Sequence, residues 1–228
     1  MKEYFKVGVI RVIFIEDYEK LSLHGRIIER AFPQVKTVNK CIKDQPQGIY
    51  DEVTEKEAIP KILSLAEEMV KVDEVDGILI SCAGDPGLEE VRRRVNVPVV
   101  GAGSATASIA LTISDRVGVL GITDKAPKPY LRILGSHMVG YARPYGVKTT
   151  LDISKDLNAV ISAAEYLKNL GAGVIALACT GYSTLGLAPV IQERVGIPVV
   201  DPLLASASVM YFELIRTHTF KDILGGSL

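Results

Sequence analysis

The chain has 228 residues, of which 26 are basic and 27 acidic, and its formal net charge is −1 at pH 7. A nucleic-acid-binding module would carry an excess of lysine and arginine, and a disordered chain would combine few apolar residues with a high net charge. With 48% hydrophobic residues and balanced charge, the composition excludes both classes. The length suits one large α/β body or two smaller lobes.

The first twenty residues do not have the pattern of a targeting or membrane segment. Their apolar run is interrupted by Arg11, well short of the roughly 20 residues that a membrane-spanning helix needs, and no small-residue cleavage site follows. The cysteines, Cys41, Cys82 and Cys179, are an odd number without the spacing of a disulfide framework. We therefore expect a soluble cytoplasmic protein with reduced thiols and with no nucleic-acid or membrane partner.

Short β-branched runs alternate with amphipathic stretches along the chain, which is typical of a parallel sheet covered by helices. One helix has two candidate starts, because Thr54 and Glu57 match a capping box while Pro60 favours a later first turn. In the first half, strands are predicted at 7–15, 35–41, 77–81 and 97–100, with helices at 18–32, up to 72, 88–94 and 104–112. In the second half, strands are predicted at 117–121, 147–153, 174–178 and 198–200, with helices at 127–134, 155–170 and 202–215.

The second half of the chain repeats the first. DGILISCAGDPGLEEVRRRVNVPVV (76–100) matches AGVIALACTGYSTLGLAPVIQERVGIPVV (172–200), with a cysteine at the same place in each block. SATASIAL (104–111) likewise matches LASASVMY (204–211) further along each half. Self-similarity of this length indicates duplicated structural units.

The repeat predicts an α/β fold of two pseudo-symmetric lobes, each a four-stranded parallel sheet flanked by helices. Residues 1–100 form the first lobe, to which the C-terminal helix 203–228 returns, and residues 101–202 form the second. Because parallel sheets bind ligands beyond the carboxyl ends of their strands, the active-site cleft is expected between the lobes.

Cys82 and Cys179 each follow a buried strand and precede a glycine-containing turn. Backbone N–H groups and a helix N-terminus at such a place favour the thiolate, so we expect thiol pKa values below the ordinary value of about 8.5. A lone cysteine is usually a buried small hydrophobe, but core packing gives no reason for two cysteines at equivalent positions of two lobes. Facing each other across a cleft, they form a candidate acid/base pair.

Such a pair suits inversion at a carbon stereocentre, where one group removes a proton from one face and the other returns a proton to the opposite face. Each sulfur must approach the carbon to about 3–3.5 Å, so the two sulfurs should lie roughly 7 Å apart, too far for a disulfide. The resulting enolate needs nearby donors, and the scheme requires no cofactor. The candidate donors are the backbone N–H groups of Ala83, Gly84, Thr180 and Gly181 and the hydroxyl of Thr180.

The blocks SCAGDPGL (81–88) and ACTGYS (178–183) resemble the aspartate/glutamate/hydantoin racemase superfamily, cofactor-independent enzymes with two pseudo-symmetric lobes and one cysteine from each. The Cys-x-x-Asp-Pro-Gly form of the first block is most similar to the hydantoin racemase branch. This resemblance implies racemisation of 5-substituted hydantoins, with Cys82 and Cys179 as the acid/base pair and the turns after them holding the ring. Enzymes of this family often assemble, so a homo-oligomer is left open, with a small-molecule substrate as the expected partner.

The substrate has an alternative within the superfamily. Hydantoin racemases usually have an Asn-Pro-Asn-Thr-like stretch after the first strand, where this chain continues with Ile-Arg-Val-Ile at 10–13. Arg11 could hold a substrate carboxylate, as in an aspartate racemase, or be an exposed charge at a strand end. Glutamate racemases carry Cys-Thr-His in the second block, and Gly181 takes the place of that histidine. A second alternative is a non-catalytic two-lobed protein that binds a small ligand or senses redox state.

Other residues contribute less to the functional prediction. Ser81 and Thr123 are candidate substrate contacts by their position at strand ends, and Asp85 is expected to cap the turn before Leu88 rather than to meet the ligand. GAGSAT at 101–106 resembles a dinucleotide fingerprint but lacks its third glycine, and a tight turn with Ser104 as helix cap is favoured. The histidines, including His24, lack ligand spacing, so they are expected at surfaces or helix ends, with no metal site.

Overall fold

The computed structural model describes the backbone of residues 4–223 and the side chains of residues 4–217. It contains two parallel four-stranded sheets, as the sequence repeat predicts. The first sheet has the order β2-β1-β3-β4 and consists of β1 (Phe5–Arg11), β2 (Val35–Cys41), β3 (Gly77–Ser81) and β4 (Val99–Gly101). The second has the order β6-β5-β7-β8 and consists of β5 (Val117–Leu120), β6 (Met138–Ala142), β7 (Val174–Leu177) and β8 (Val199–Val200).

Helices cover both faces of each sheet, and the equivalent strand order of the two sheets confirms the predicted α/β fold of two similar halves. The helices are α1 (Tyr18–Leu21), α2 (Leu23–Ala31), α3 (Glu52–Lys71), α4 (Leu88–Arg94), α5 (Ala102–Ile113), α6 (Lys128–Leu134), α7 (Leu157–Asn169), α8 (Gly181–Thr184), α9 (Leu187–Val195) and α10 (Pro202–Ile223). Two short 3₁₀ helices lie at Gly135–His137 and Thr150–Lys155. Residues 224–228 of the predicted C-terminal helix lie outside the described part of the chain.

Alternating side chains of each strand reach opposite faces of the sheet, as the two-residue period of a strand requires. In β3, Ile78 and Ile80 pack in one cluster with Ile62 and Met69 of α3, whereas Leu79 between them packs on the other face with Met210 of α10. Both faces of the sheet are therefore buried, which explains why the strand reads as a continuous apolar run.

Each of the two helices that follow the last strand of a sheet packs against the other sheet. α5 follows the first sheet but packs Ala107 and Ala110 against Val117 and Val119 of the second. α10 follows the second sheet but packs with Leu79 and the rest of the apolar cluster on the first. The small side chains of the repeated SATASIAL and LASASVMY blocks allow α5 and α10 to lie close together, and this exchange fixes the two halves against one another.

The prediction of a strand at 147–153 is wrong, because the edge strand of the second sheet is β6, Met138–Ala142. The β-branched residues at 147–153 favour a strand, but Thr149 and Asp152 form a capping box that starts a 3₁₀ helix there. The segment Met-Val-Gly-Tyr-Ala that pairs instead contains a glycine and has a weak strand signal. Here the local cap outweighs β propensity.

The start of α3 also differs from both predicted alternatives. Asp51 is its N-cap, and Thr54 occupies the third helical position of a capping box, so the helix begins at Glu52 and continues through Pro60. No helix among the described residues is long and apolar enough to cross a membrane.

Candidate active site

A cavity of about 440 Å³ lies where the carboxyl ends of the two sheets meet, within the size range of small-molecule sites. Residues from both halves of the chain form its floor and walls. The lining includes all the candidate site residues selected from the sequence: Arg11, Ser81, Cys82, Ala83, Gly84, Thr123, Cys179, Thr180 and Gly181.

Cys82 enters the cavity from a tight turn after β3. The thiol is free and only partly buried, and the backbone N–H of Gly84 points to its sulfur. Burial raises the pKa of the Cys82 thiol to about 12, with smaller contributions in the same direction from the nearby Cys179, Asp85 and Glu55. The Gly84 N–H opposes this shift.

The turn that carries Cys82 is held by Asp85, whose carboxylate accepts hydrogen bonds from the backbone N–H groups of Gly103 and Ser104, each at 2.7 Å, and from the Ser104 hydroxyl. The prediction that Asp85 caps the helix at Leu88 is therefore wrong: it caps α5, while Gly87 precedes α4. Ser104 is not the cap of α5 either, since Gly101 holds that position.

The glycines of GAGSAT serve this contact between the Cys82 turn and α5. A Cβ atom at Gly103 would overlap the carbonyl oxygen of Ala83, so only glycine allows the turn and the helix to approach each other this closely. The motif thus anchors the turn that presents Cys82.

Cys179 enters the cavity from the second sheet and is buried. The backbone N–H of Gly181 donates to its sulfur at 3.4 Å, and the hydroxyl of Thr150 lies 3.5 Å from that sulfur. Burial raises the pKa of the Cys179 thiol, while Thr150, Gly181 and the positive charge of Arg11 act in the opposite direction. Thr150 was missed in the sequence because it falls in the segment wrongly predicted to be a strand.

The expectation of lowered thiol pKa values is wrong for both cysteines in their net direction. The predicted N–H donors are present, with Gly84 beside Cys82 and Gly181 beside Cys179, but desolvation of the thiolate outweighs them. A thiolate formed in this cavity is consequently a stronger base than an exposed one.

The backbone N–H groups next to the cysteines divide into two pairs. Those of Gly84 and Gly181, two positions after each cysteine, point to the sulfurs. Those of Ala83 and Thr180, one position after each cysteine, have no acceptor among the described residues. Both residues line the cavity, so two donors are available for an oxyanion, one beside each thiol.

The hydroxyl groups proposed as substrate contacts are engaged by the protein itself. The Thr180 hydroxyl donates to the carbonyl of Ser81 at 3.3 Å, and the Thr123 hydroxyl donates to the carbonyl of Lys125 at 2.7 Å. The Ser81 hydroxyl lies 2.8 Å from Nδ1 of His24. These residues line the cavity, but their hydroxyl groups form hydrogen bonds within the protein.

The prediction that His24 lies at a surface or a helix end is wrong. The side chain is fully buried between the two halves of the protein. Its Nε2 lies 2.7 Å from the Thr184 hydroxyl of α8, which in turn donates to the carbonyl of Thr180 at 3.3 Å. That donation leaves Nε2 as the protonated nitrogen and Nδ1 as acceptor of the Ser81 hydroxyl. Burial, with the charge of Arg11, lowers the pKa of His24 well below 6.5, so the neutral ring links the residue before Cys82 to the residue after Cys179.

The remaining cavity wall is largely apolar, with charges at its rim. Glu55 of α3 and Lys128 of α6 form an ion pair of 3.5 Å that joins the two halves across the opening. Sequence reasoning missed this wall because most of its residues lie outside the motifs of the two cysteine blocks. Its apolar members include Val12, Ile13, Ile49, Pro86, Ile122, Ala126 and Leu131.

Two similar parallel sheets, with one cysteine from the same position of each at a shared cavity, define a two-lobed α/β protein with a duplicated thiol site. The family model described as Asp/Glu/Hydantoin racemase matches residues 22–210. The chain therefore belongs to this racemase family, which confirms the resemblance found in the cysteine blocks and assigns the protein to a family of isomerases.

Curated relatives and solved structures agree with this placement. Hydantoin racemase from Pseudomonas sp. (strain NS671) is 30% identical over 173 residues, covering 70% of this chain and 65% of that protein. Hydantoin racemase from Paenarthrobacter aurescens is 26% identical over 172 residues, covering 72% and 70%. Among solved structures, allantoin racemase from Klebsiella pneumoniae has a TM-score of 0.80 at 20% identity over 93% of this chain and 89% of that one, which supports the fold.

Proposed function

We propose that the protein is a cofactor-independent racemase of 5-substituted hydantoins, in which Cys82 and Cys179 transfer protons at opposite faces of C5. The observation that carries this proposal is the pair of free thiols from equivalent positions of the two halves, both lining one cavity. Each thiol has an N–H donor beside it that is free to bind an oxyanion.

The reaction begins when one thiolate removes the proton from C5. The C–H electron pair moves into the adjacent C4 carbonyl, whose oxygen becomes an enolate oxygen and accepts a hydrogen bond from Ala83 N–H or Thr180 N–H. The opposite thiol then donates its proton to the other face of C5. The product is the mirror-image hydantoin, and the thiolate has moved from one cysteine to the other.

Cys179 is the thiol that ionises more readily in this scheme. The Thr150 hydroxyl, the Gly181 N–H and the charge of Arg11 all favour its thiolate, whereas Asp85 and Glu55 disfavour that of Cys82. Cys179 is thus the resting base and Cys82 the resting acid, and turnover rises with pH as Cys179 loses its proton.

The charges of the cavity favour a hydantoin over a free amino acid. An amino acid carries an ammonium group that needs a buried acceptor, and the carboxylates that line the cavity, Asp51, Glu52, Glu55 and Asp124, lie at its rim. A hydantoin ring has no such charge. The names of the hydantoin racemase relatives and the fold shared with allantoin racemase, whose named substrate is itself a 5-substituted hydantoin, support the same choice.

The test is proton NMR in deuterated water, following loss of the Cα–H or C5–H signal from single enantiomers of 5-substituted hydantoins, aspartate and glutamate, with no metal or cofactor added. Exchange of a hydantoin together with loss of optical rotation supports the proposal. Exchange of aspartate alone favours the second candidate, an aspartate racemase, for which the cation Arg11 in the cavity is the supporting observation. Exchange of none of them leaves a binding or redox-sensing protein.

A further inference from the structure

We propose that the preferred substrates are hydantoins whose C5 substituent ends in a carboxylate, and that Arg11 is the residue that binds it. This inference rests on the proposed function and narrows its substrate class. It is carried by the guanidinium of Arg11, which lines the cavity and has no carboxylate partner among the described residues.

Arg11 is the last residue of β1, the central strand position between β2 and β3. Its register partner in β3 is Ser81, the residue before Cys82, and its partner in β2 is Cys41. The positive charge of the guanidinium also acts to lower the pKa of Cys179, which follows a strand of the opposite sheet. Arg11 therefore lies within the part of the cavity that contains both thiols.

The guanidinium of Arg11 is buried without a protein partner for one of its donors. Only 8% of the residue is exposed, and its Nη1 atom has no hydrogen-bond partner among the described residues. Other arginines have ion pairs, such as Arg143 with Asp124 at 2.6 Å and Arg26 with Glu19. Burial lowers the pKa of Arg11 to about 10, and the groups that act to raise it are thiols, not carboxylates.

A buried cation without a counter-charge is unfavourable unless a ligand completes the site. A planar guanidinium with free N–H donors matches the two oxygens of a carboxylate. The enolate oxygen of the ring does not require it, because the free N–H groups of Ala83 and Thr180 lie beside the thiols. The carboxylate that Arg11 binds consequently belongs to the substituent at C5.

The lining of the cavity also indicates which other chemical groups the ligand has. Its apolar wall suits a neutral ring, and three of its lining carboxylates, Asp51, Glu52 and Asp124, are exposed, while the fourth, Glu55, is paired with Lys128. A ligand with one negative end and no ammonium group fits this arrangement. Hydantoins substituted at C5 with carboxymethyl or 2-carboxyethyl have this chemistry.

The experiment compares kcat/KM for C5–H exchange of 5-carboxymethylhydantoin with that of 5-carbamoylmethylhydantoin, its uncharged amide of nearly equal size, after subtraction of the enzyme-free rate. The wild-type protein should prefer the carboxylate by at least about tenfold. In Arg11→Met the ratio should fall to about one, and in Arg11→Lys it should be partly retained. The ratio is the readout because loss of Arg11 also affects Cys179 and therefore changes both rates.

Lys125, a further cation that lines the cavity, provides the matched control. Lys125→Met removes an exposed charge and should leave most of the preference for the carboxylate. Circular dichroism shows whether each variant folds, and Arg11→Gln takes the place of Arg11→Met if the latter does not. A wild-type ratio of one or below, or a ratio that survives in Arg11→Met and Arg11→Gln, overturns the assignment while hydantoin racemisation stands. No exchange with any hydantoin overturns the proposed function and this inference together.

Discussion

The two cysteine turns occupy equivalent positions in two similar sheets, yet they are held in different ways. The Cys82 turn is tied through Asp85 to the start of α5, which packs on the other sheet. The Cys179 turn leads directly into α8. It contacts the Thr150 hydroxyl, the Ser81 carbonyl through the Thr180 hydroxyl and, through Thr184, His24.

This difference extends to the charges around the sulfurs. Carboxylates act on Cys82, whereas a hydroxyl and the cation Arg11 act on Cys179. A repeated backbone therefore provides two thiols in equivalent positions with different surroundings. A two-base reaction requires the two sulfurs at equivalent positions, because each must reach one face of the same carbon. It does not require equal pKa values, because only one of the two groups is protonated at a time.

Replacement of either cysteine at the cavity tests the symmetric part of this comparison and should have the largest effect. We expect Cys82→Ser and Cys179→Ser each to reduce racemisation by at least about 1000-fold, in the range of a lost general acid or base. Optical rotation measures this loss, and deuterium exchange from each enantiomer shows whether one-sided proton removal survives. Cys41→Ser is the control, since Cys41 does not line the cavity; full racemisation by either cavity variant would contradict the two-base scheme.

Asp85 and Asp201 hold the starts of the equivalent helices α5 and α10 in different ways, so their loss should have different effects on stability. Asp85→Ala removes a buried carboxylate with backbone hydrogen bonds to Gly103 and Ser104, and should lower the free energy of unfolding by about 2–3 kcal/mol. Asp201→Ala removes the local cap of α10, where Leu203 and Leu204 donate to one carboxylate oxygen, and should cost about 1 kcal/mol. Urea denaturation measures both. Equal losses of unfolding free energy in the two variants would show that Asp85 contributes no more to stability than an ordinary helix cap.

The unequal acidity of the thiols depends on Thr150. In a Cys41→Ser, Cys82→Ser background, Thr150→Val removes the hydroxyl beside Cys179 and should raise its thiol pKa by about one unit, equivalent to about 1.4 kcal/mol. The rate of alkylation by iodoacetamide below that pKa should then fall about tenfold. Thr123→Val is the matched control, because the Thr123 hydroxyl bonds Lys125 and Tyr141 instead of a thiol. An unchanged alkylation profile in Thr150→Val would remove this source of asymmetry.

The link between the two turns through His24 should depend on pH. Because the pKa of the buried ring is lowered well below 6.5, the unfolded chain takes up a proton near that pH that the folded protein does not. Stability from this residue is therefore present above pH 6.5 and falls by about 1 kcal/mol between pH 6.5 and 5.5.

His24→Gln should flatten this part of the pH dependence of the unfolding free energy. His137→Gln, which removes an exposed histidine, serves as its control. A wild-type profile that matches that of His24→Gln between pH 5.5 and 6.5 would show that the ring titrates alike in the folded and unfolded chains.

Much of the fold follows from local pattern, as the strands at 35–41 and 77–81 and the helix at 88–94 show. β3 is predicted well because its continuous apolar run satisfies both buried faces of a parallel strand. β6 could not be predicted, since Met138–Ala142 has little strand propensity of its own and becomes a strand only by pairing with β5.

The sequence by itself determined the duplication, the parallel α/β architecture and the two cysteines at strand ends, because each is recorded in short-range patterns and in their repeat. Only the tertiary structure decided what surrounds those cysteines. Thr150 and His24 reach the site from positions distant in the chain, and no local pattern marks them. Arg11 was a candidate in the sequence, but its burial without a carboxylate partner depends on the packing around it. The net rise in the thiol pKa values has the same origin, since desolvation depends on everything packed around a group and not on its neighbours in sequence.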